Sequence, residues 1–201
     1  RSFAWTQLAI AWWAGTAGLE VLLFGDRLAM RIGQLQYLGI ASLPVFWIHF
    51  AATYARRPVA RTRWLLLTAL IPLVTVTLAL THGRQAWLWT DVRPPSAPGA
   101  LTLEFVRGPW FWVNWTHTYV LLAVSTWWLV RALVRDHKAY AAQTALFLFG
   151  LAVPWAANVI TVAGWLPWPG LDLTPSAFAI TGACFVLALI WNRRSAPRPI
   201  P

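Results

Sequence analysis

The feature that most constrains this fold is a series of six long apolar segments separated by short polar loops. A helix needs roughly 20 mostly apolar residues to cross a bilayer. The segments that meet this requirement cover about 3–24, 33–55, 64–81, 110–131, 140–163 and 173–192. Because lipid cannot hydrogen-bond an exposed backbone, each segment is predicted to be a membrane-spanning α-helix. The predicted fold class is therefore an all-α, polytopic membrane helix bundle.

Three of the predicted spans contain a proline inside the apolar run: Pro44, Pro72 and Pro154. In a soluble helix each would favour a break, because proline removes a backbone donor. In a membrane bundle, neighbouring helices can satisfy the carbonyl groups that are left without a partner. The three spans are therefore predicted to remain helical, with a kink one turn before each proline.

The composition excludes an ordinary soluble domain, because only 11% of the residues are charged and 59% are hydrophobic. Soluble domains carry about 25% charged residues. The formal net charge of +10 could suggest a nucleic-acid partner, but the basic residues lie in short loops between apolar segments and form no continuous stripe. The predicted partner is the lipid bilayer, with no nucleic acid. Cys184 is the only cysteine, which excludes a disulfide framework and a cysteine-based zinc site.

The distribution of arginine and lysine predicts the orientation of the bundle. One set of loops, with both chain ends, carries eleven of the sixteen basic residues, and the opposite set carries five. Basic residues accumulate on the cytoplasmic side. Both ends are therefore predicted to be cytoplasmic, and the long loop 82–109 is predicted to lie outside. Within this loop, "ALTLEF" is expected to be a short strand or a cover over the bundle mouth.

Several polar side chains lie at similar predicted depth towards the outer side, although they come from different spans. They are Glu20, Gln36, Asn114, His117, Tyr119, Asn158 and Asp172. A charged group in the bilayer costs about 2.5–3.5 kcal/mol, so such groups normally face the bundle interior or water. The shared depth predicts an outward-facing, partly polar cavity that binds a ligand. The alternative is that these groups only hydrogen-bond one another between helices, at about 0.6 kcal/mol per contact.

The start of the last span bears on the role of Asp172. Thr174 and Pro175 form a favourable N-cap and first-turn pair for a helix. Asp172 is therefore not needed as the cap, and it is predicted to belong to the outer polar group. Near the other end of the chain, Ala11/Gly15 and Ala14/Gly18 have the spacing of small residues that allows close helix contact.

Motifs for catalysis and for cofactor binding are missing from the sequence. There is no G-x-S-x-G turn, no H-E-x-x-H and no phosphate-binding glycine loop. Lys138 is the only lysine and lies in a loop, so no span can form a Schiff base with retinal. A haem held by His49 and His117 fits poorly, because they differ by about 10 Å in depth. No catalytic residue, metal or cofactor is predicted; a transporter or channel, and a haem- or quinone-binding redox protein, remain alternatives.

Five stretches, in order along the chain, carry a family resemblance. They are "AWWAGTAGLE", "QLQYLGIASLPVFWIHFAATYA", "RGPWFWVNWTHTY", "AAQTALFLFGLAVPWAANVI" and "LDLTPSAF". With these stretches the chain resembles the N-terminal seven-helix transmembrane sensor domain of bacterial membrane histidine kinases. The resemblance implies helices two to seven of that domain, with the first helix upstream of Arg1, and a location in a bacterial inner membrane.

The resemblance also implies a function. Such a domain is not itself catalytic, and its last helix leads to a cytoplasmic effector such as a histidine kinase or a cyclic-dinucleotide synthase. Residues 1–192 are then the sensor bundle, and residues 193–201 are the linker to the effector. The expected ligand is an unknown small molecule or lipid, and a homodimer is expected by analogy with two-component receptors.

Overall fold

The computed structural model describes residues 2–23, 28–57, 62–94, 102–135, 141–163, 165–166 and 172–195. These residues form six α-helices and one hairpin of two antiparallel strands. The helices are α1 (Ser2–Leu22), α2 (Leu28–Tyr54), α3 (Thr62–Leu80), α4 (Pro109–Arg135), α5 (Ala141–Val162) and α6 (Thr174–Ser195); the strands are β1 (Trp89–Arg93) and β2 (Glu104–Arg107). The prediction of a mainly helical bundle is confirmed, and α2, α3 and α5 each run through their proline as one helix.

Three helical stretches in the described part of the chain are long and apolar enough to cross a membrane. They are Leu28–Tyr54, Pro109–Val134 and Thr144–Thr161, and two shorter apolar stretches cover Leu66–Leu80 and Thr174–Ala188. Six complete crossings therefore remain a prediction, whereas a membrane-embedded bundle is supported directly by these helices.

One side of α3 shows how the bundle surface suits lipid. Leu66, Leu67, Leu70 and Leu73 follow one another on a single face and are each more than 60% exposed. A soluble protein rarely exposes a continuous apolar face of this kind. The opposite face of α3 buries Thr75 and Ala79 against the rest of the bundle. The outward face of α3 is thus apolar, and its buried polar residue, Thr75, faces the other helices of the bundle.

The helices are arranged around α2. It packs against α1, α3 and α4, while α6 packs against α1 and α5. At the end of the bundle away from the hairpin, large rings and aliphatic side chains from α2, α4, α5 and α6 form one apolar core, here called the basal cluster. Its buried members are Trp47, Phe50, Ala51, Leu129, Leu133, Phe147, Leu151, Cys184, Phe185 and Ala188. Cys184 is a small buried hydrophobic residue in this cluster.

The hairpin closes the opposite end of the bundle, here called the hairpin end. β1 and β2 pair with an irregularity between Trp89 and Asp91. Trp89 is almost fully buried and packs edge-on against Tyr37 of α2, with ring centroids 5.1 Å apart. The ring of Phe105 packs so closely on Gly33 that a Cβ there would lie 2.6 Å from its ζ carbon. The described part of the "ALTLEF" segment, residues 102–105, therefore contributes both to a strand and to a cover over the bundle.

The backbones of α1 and α2 approach each other closely at Gly39. A Cβ at Gly39 would lie 2.8 Å from the carbonyl oxygen of Ala9 and 2.9 Å from the backbone nitrogen of Trp13. By contrast, a Cβ at Gly15 or Gly18 would meet nothing within 4 Å among the described residues. The close contact predicted at Gly15 and Gly18 is thus absent from this part of the structure. The glycine that allows close packing lies on the partner helix.

Gly39→Ala should destabilise the bundle, because a methyl group at this position collides with backbone atoms that cannot rotate away. Overpacking of this kind typically costs about 1–3 kcal/mol. We expect a lower thermal unfolding temperature for the detergent-solubilised protein, followed by circular dichroism. Gly18→Ala is the matched control and should leave the temperature unchanged or raise it, since the added methyl enters open space. Equal stability of the two variants would contradict the assigned α1–α2 contact.

Candidate functional site

A cavity of about 700 Å³ lies between the helices and extends to the hairpin. Its walls come from α1, α2, α4, α5 and α6, and the hairpin contributes Trp89, Glu104, Phe105 and Arg107. Thr102 and Leu103, just before β2, also line it. This volume is within the usual range for small-molecule sites, about 300–1,000 Å³. The cavity is therefore the candidate functional site.

Five of the seven side chains predicted for the site line this one cavity. They are Glu20, Gln36, Asn114, Tyr119 and Asp172. His117 is not among the lining residues; it lies towards α3, where its ring interacts with the backbone of Thr68. Asn158 belongs to α5, but its side chain is outside the described part of the structure. A role of these residues in ligand binding stays a prediction.

Glu20 and Gln36 form a buried polar pair between α1 and α2. Glu20 is 5% exposed and Gln36 is 9% exposed. The side-chain amide of Gln36 donates a hydrogen bond to Oε2 of Glu20. The backbone of Leu103 also interacts with this carboxylate. Oε1 of Glu20 is buried and has no hydrogen-bond partner among the described residues. One half of the carboxylate is thus held by the protein, and the other half is not.

A second polar group joins α3 to α4. The hydroxyl of Thr75 is completely buried, 3.1 Å from Oδ1 of Asn114 and 2.8 Å from the carbonyl oxygen of Ile71. The indole N–H of Trp110 donates to the same hydroxyl over 2.9 Å. Asn114 therefore serves as an interhelical contact as well as a cavity wall. The two alternatives left open by the sequence, a cavity and interhelical hydrogen bonding, coexist at this residue.

Aromatic rings make up much of the remaining wall. Tyr119 packs on Trp115 with ring centroids 4.3 Å apart and meets Trp155 of α5 edge-on at 6.1 Å. The indole N–H of Trp155 lies 3.4 Å from the hydroxyl of Thr126 on α4. These contacts span the gap between α4 and α5. A ligand in the cavity would therefore touch ring faces on several sides.

Asp172 has a local role that the sequence did not predict. Its Oδ1 accepts hydrogen bonds from the backbone N–H of Thr174, at 2.8 Å, and from the hydroxyl of Thr174. The carbonyl of Leu173 accepts the first helical bond, from Ala177 at 3.0 Å. The prediction that Thr174 is the N-cap residue of α6 is therefore wrong: Thr174 is the first residue of the helix, and the Asp172 carboxylate caps it by accepting from its backbone N–H. Asp172 nevertheless also lines the cavity.

The hairpin supplies the cavity residues that were missing from the predicted site. Leu103 and Phe105 alternate with polar neighbours, which is the pattern of a strand with one apolar face. That alternation could have identified them, but not the surface on which they pack. Arg107 places its guanidinium over the rings of Phe111 and Trp112, at 5.1 and 5.7 Å from their centroids. Glu104 forms a salt bridge with Arg93 at 3.2 Å.

Comparison with protein-family models matches residues 1–195 to the N-terminal 7TM region of histidine kinase. The chain belongs to this family. Comparisons with curated proteins and with solved structures gave no significant match. The resemblance noted from the sequence is thereby confirmed, and the chain is a membrane sensor region that is not itself catalytic. The assignment of its helices to positions two to seven of the family's seven stays a prediction.

The buried hydroxyl of Thr75 provides a test of the polar contact between α3 and α4. Thr75→Val should leave the indole N–H of Trp110 and Oδ1 of Asn114 without this partner. An unsatisfied buried polar group costs about 1–3 kcal/mol. We expect a clearly lower thermal unfolding temperature in detergent. Thr77→Val on the exposed side of the same helix removes only a bond to the Leu73 carbonyl and should have little effect. Similar losses in both variants would argue against the contact.

Proposed function

We propose that this chain is the membrane-embedded sensor module of a bacterial signalling protein, and that a stimulus from outside acts on the cavity at the hairpin end. The observation that carries the proposal is that five helices and the hairpin all contribute walls to this one cavity. A ligand bound there would contact most elements of the bundle at once. The basic loops, which predict cytoplasmic chain ends, would place the hairpin end outside.

Helix α6 connects the cavity to the C-terminal end of the domain. Its first residues, Thr174 and Phe178, line the cavity, and the helix continues to Ser195. Along its middle, α6 packs tightly on α5: the hydroxyl of Thr181 donates to the carbonyl of Gly150 over 2.6 Å. A cytoplasmic effector in the same chain, joined through residues 193–201, would receive the movement of this helix. The stimulus shifts the output only if it binds two states of the bundle with different affinity.

The basal cluster favours a receptor over a transporter. Trp47 and Leu151 line the cavity and also belong to the basal cluster, so large apolar side chains form the floor of the cavity. A transport pathway would need polar groups that continue to the other side. The packed rings of Phe147 and Phe185, with centroids 4.6 Å apart, occupy that region instead. A homodimer, expected by analogy, would bring two copies of α6 to paired effectors.

A side chain that fills the cavity should change signalling without any ligand. Thr118 lines the cavity, whereas Thr116 on the same helix is exposed on another side. Thr118→Phe in the full-length protein should change the basal output, for example autophosphorylation in membranes, by about fivefold or more, the lower range of typical allosteric coupling. Thr116→Phe is the matched control and should leave the output unchanged. Wild-type output from a well-expressed Thr118→Phe protein would contradict the proposed role of the cavity.

The proposed orientation can be tested by cysteine labelling. Cys184 is buried, so the chain without an added cysteine should not be labelled and serves as the negative control. Thr90→Cys, on the exposed side of β1, should react with a membrane-impermeant maleimide in intact spheroplasts. Arg57→Cys, in the loop between α2 and α3, should react only after the membrane is permeabilised. The reverse pattern would show that the cavity opens towards the cytoplasm.

A further inference from the structure

Three cavity-lining residues have a buried polar atom without a hydrogen-bond partner among the described residues: Oε1 of Glu20 and the hydroxyls of Thr118 and Thr161. Of the three, only Glu20 is acidic, and it is 95% buried. The other oxygen, Oε2, accepts from Gln36. A carboxylate oxygen without a donor in an apolar environment is costly. The arrangement therefore has a place for a hydrogen-bond donor that comes from outside the chain.

The charges around the cavity favour a cationic donor. Glu20, Glu104 and Asp172 line the cavity, and Arg107 is the basic residue among the described lining residues. Arg107 already lies over the rings of Phe111 and Trp112. An anionic ligand would meet an excess of carboxylates, and an uncharged apolar ligand would leave Oε1 of Glu20 unsatisfied. A ligand with a positively charged donor meets both conditions, and its charge also complements the carboxylates.

The aromatic walls fit the same chemistry. Trp89 packs on Phe105 with ring centroids 4.7 Å apart and on Tyr37 at 5.1 Å, and all three rings line the cavity beside the hairpin. Cations are attracted to the faces of aromatic rings, most strongly to tryptophan, where water is excluded. The apolar part of a ligand would pack against the remaining rings and the aliphatic floor.

We propose that the cavity binds a protonated amine with an apolar body, whose ammonium group donates a hydrogen bond to Oε1 of Glu20. This inference rests on the proposed function, because it names the chemical class of ligand for the same cavity. Charge-assisted hydrogen bonds are about twice as strong as neutral ones. The Glu20 contact would therefore set the preference for amines, and the aromatic walls would provide most of the apolar contact.

Three small probes of similar size test the inference on the wild-type chain in lipid nanodiscs. They are 2-phenylethylamine, which is protonated at neutral pH, uncharged 2-phenylethanol and anionic 3-phenylpropanoate. Binding is measured by titration calorimetry, with empty nanodiscs subtracted to remove partition into lipid. We expect the amine to bind about tenfold or more tightly than the alcohol, and the carboxylate to bind most weakly. Equal binding of amine and alcohol would overturn the inference without the need for any variant.

Glu20→Gln keeps the shape of the side chain and should remove most of the tenfold preference for the amine. Glu104→Gln is the matched control at the cavity wall: its carboxylate is paired with Arg93, so the preference should be retained. If the Glu20→Gln protein elutes as a single species and still prefers the amine as strongly as the wild type does, the inference is overturned.

The ligand class and the sensory role can fail separately. If Thr118→Phe alters the signalling output but the wild-type chain shows no preference for the amine, only the ligand class is refuted. If the amine binds through Glu20 but Thr118→Phe leaves the output unaltered, only the sensory role is refuted.

Discussion

The bundle depends on one constraint: inside a bilayer, every polar group must find its partner within the protein. The helices satisfy the backbone, and several threonine hydroxyls are satisfied locally, because they donate to the carbonyl four residues earlier. Thr6, Thr16, Thr53, Thr68 and Thr77 all do so. Longer polar side chains cannot use this solution and must reach a neighbouring helix. The Glu20–Gln36 pair and the Asn114–Thr75 contact result from this requirement, and both lie beside the cavity.

The two ends of the bundle fill the space between the helices in different ways. At the basal end, rings and aliphatic side chains pack together and fill the space between the helices. At the hairpin end, a strand pair replaces close helix packing, held in place by Trp89 and by the fit of Phe105 on Gly33. An open, partly polar space remains beneath it. In the proposed function, a ligand would occupy the open end and the packed base would transmit the displacement.

The sequence predicted the helices well, because the apolar length and the flanking polar loops depend only on the chain itself. It also placed Glu20, Gln36, Asn114, Tyr119 and Asp172 at a common depth, and these residues do meet at one cavity. It did not predict which side chain faces which neighbour. Asn114 and His117 are three residues apart and were expected to share a role. Both contact α3, but Asn114 also lines the cavity and His117 does not. A difference of about 60° around a helix is enough to move a side chain off the cavity wall.

The sequence by itself determined the number and length of the apolar helices, the position of the loop that becomes the hairpin and the family to which the chain belongs. These properties follow from local composition and from the bilayer as solvent. Only the tertiary structure decided that Gly39, and not Gly15 or Gly18, lies at the close contact, that Asp172 caps α6, and that Oε1 of Glu20 has no donor. Residue spacing fixes angles within one helix, whereas the rotation of that helix against its neighbours is set by the packing of the whole bundle.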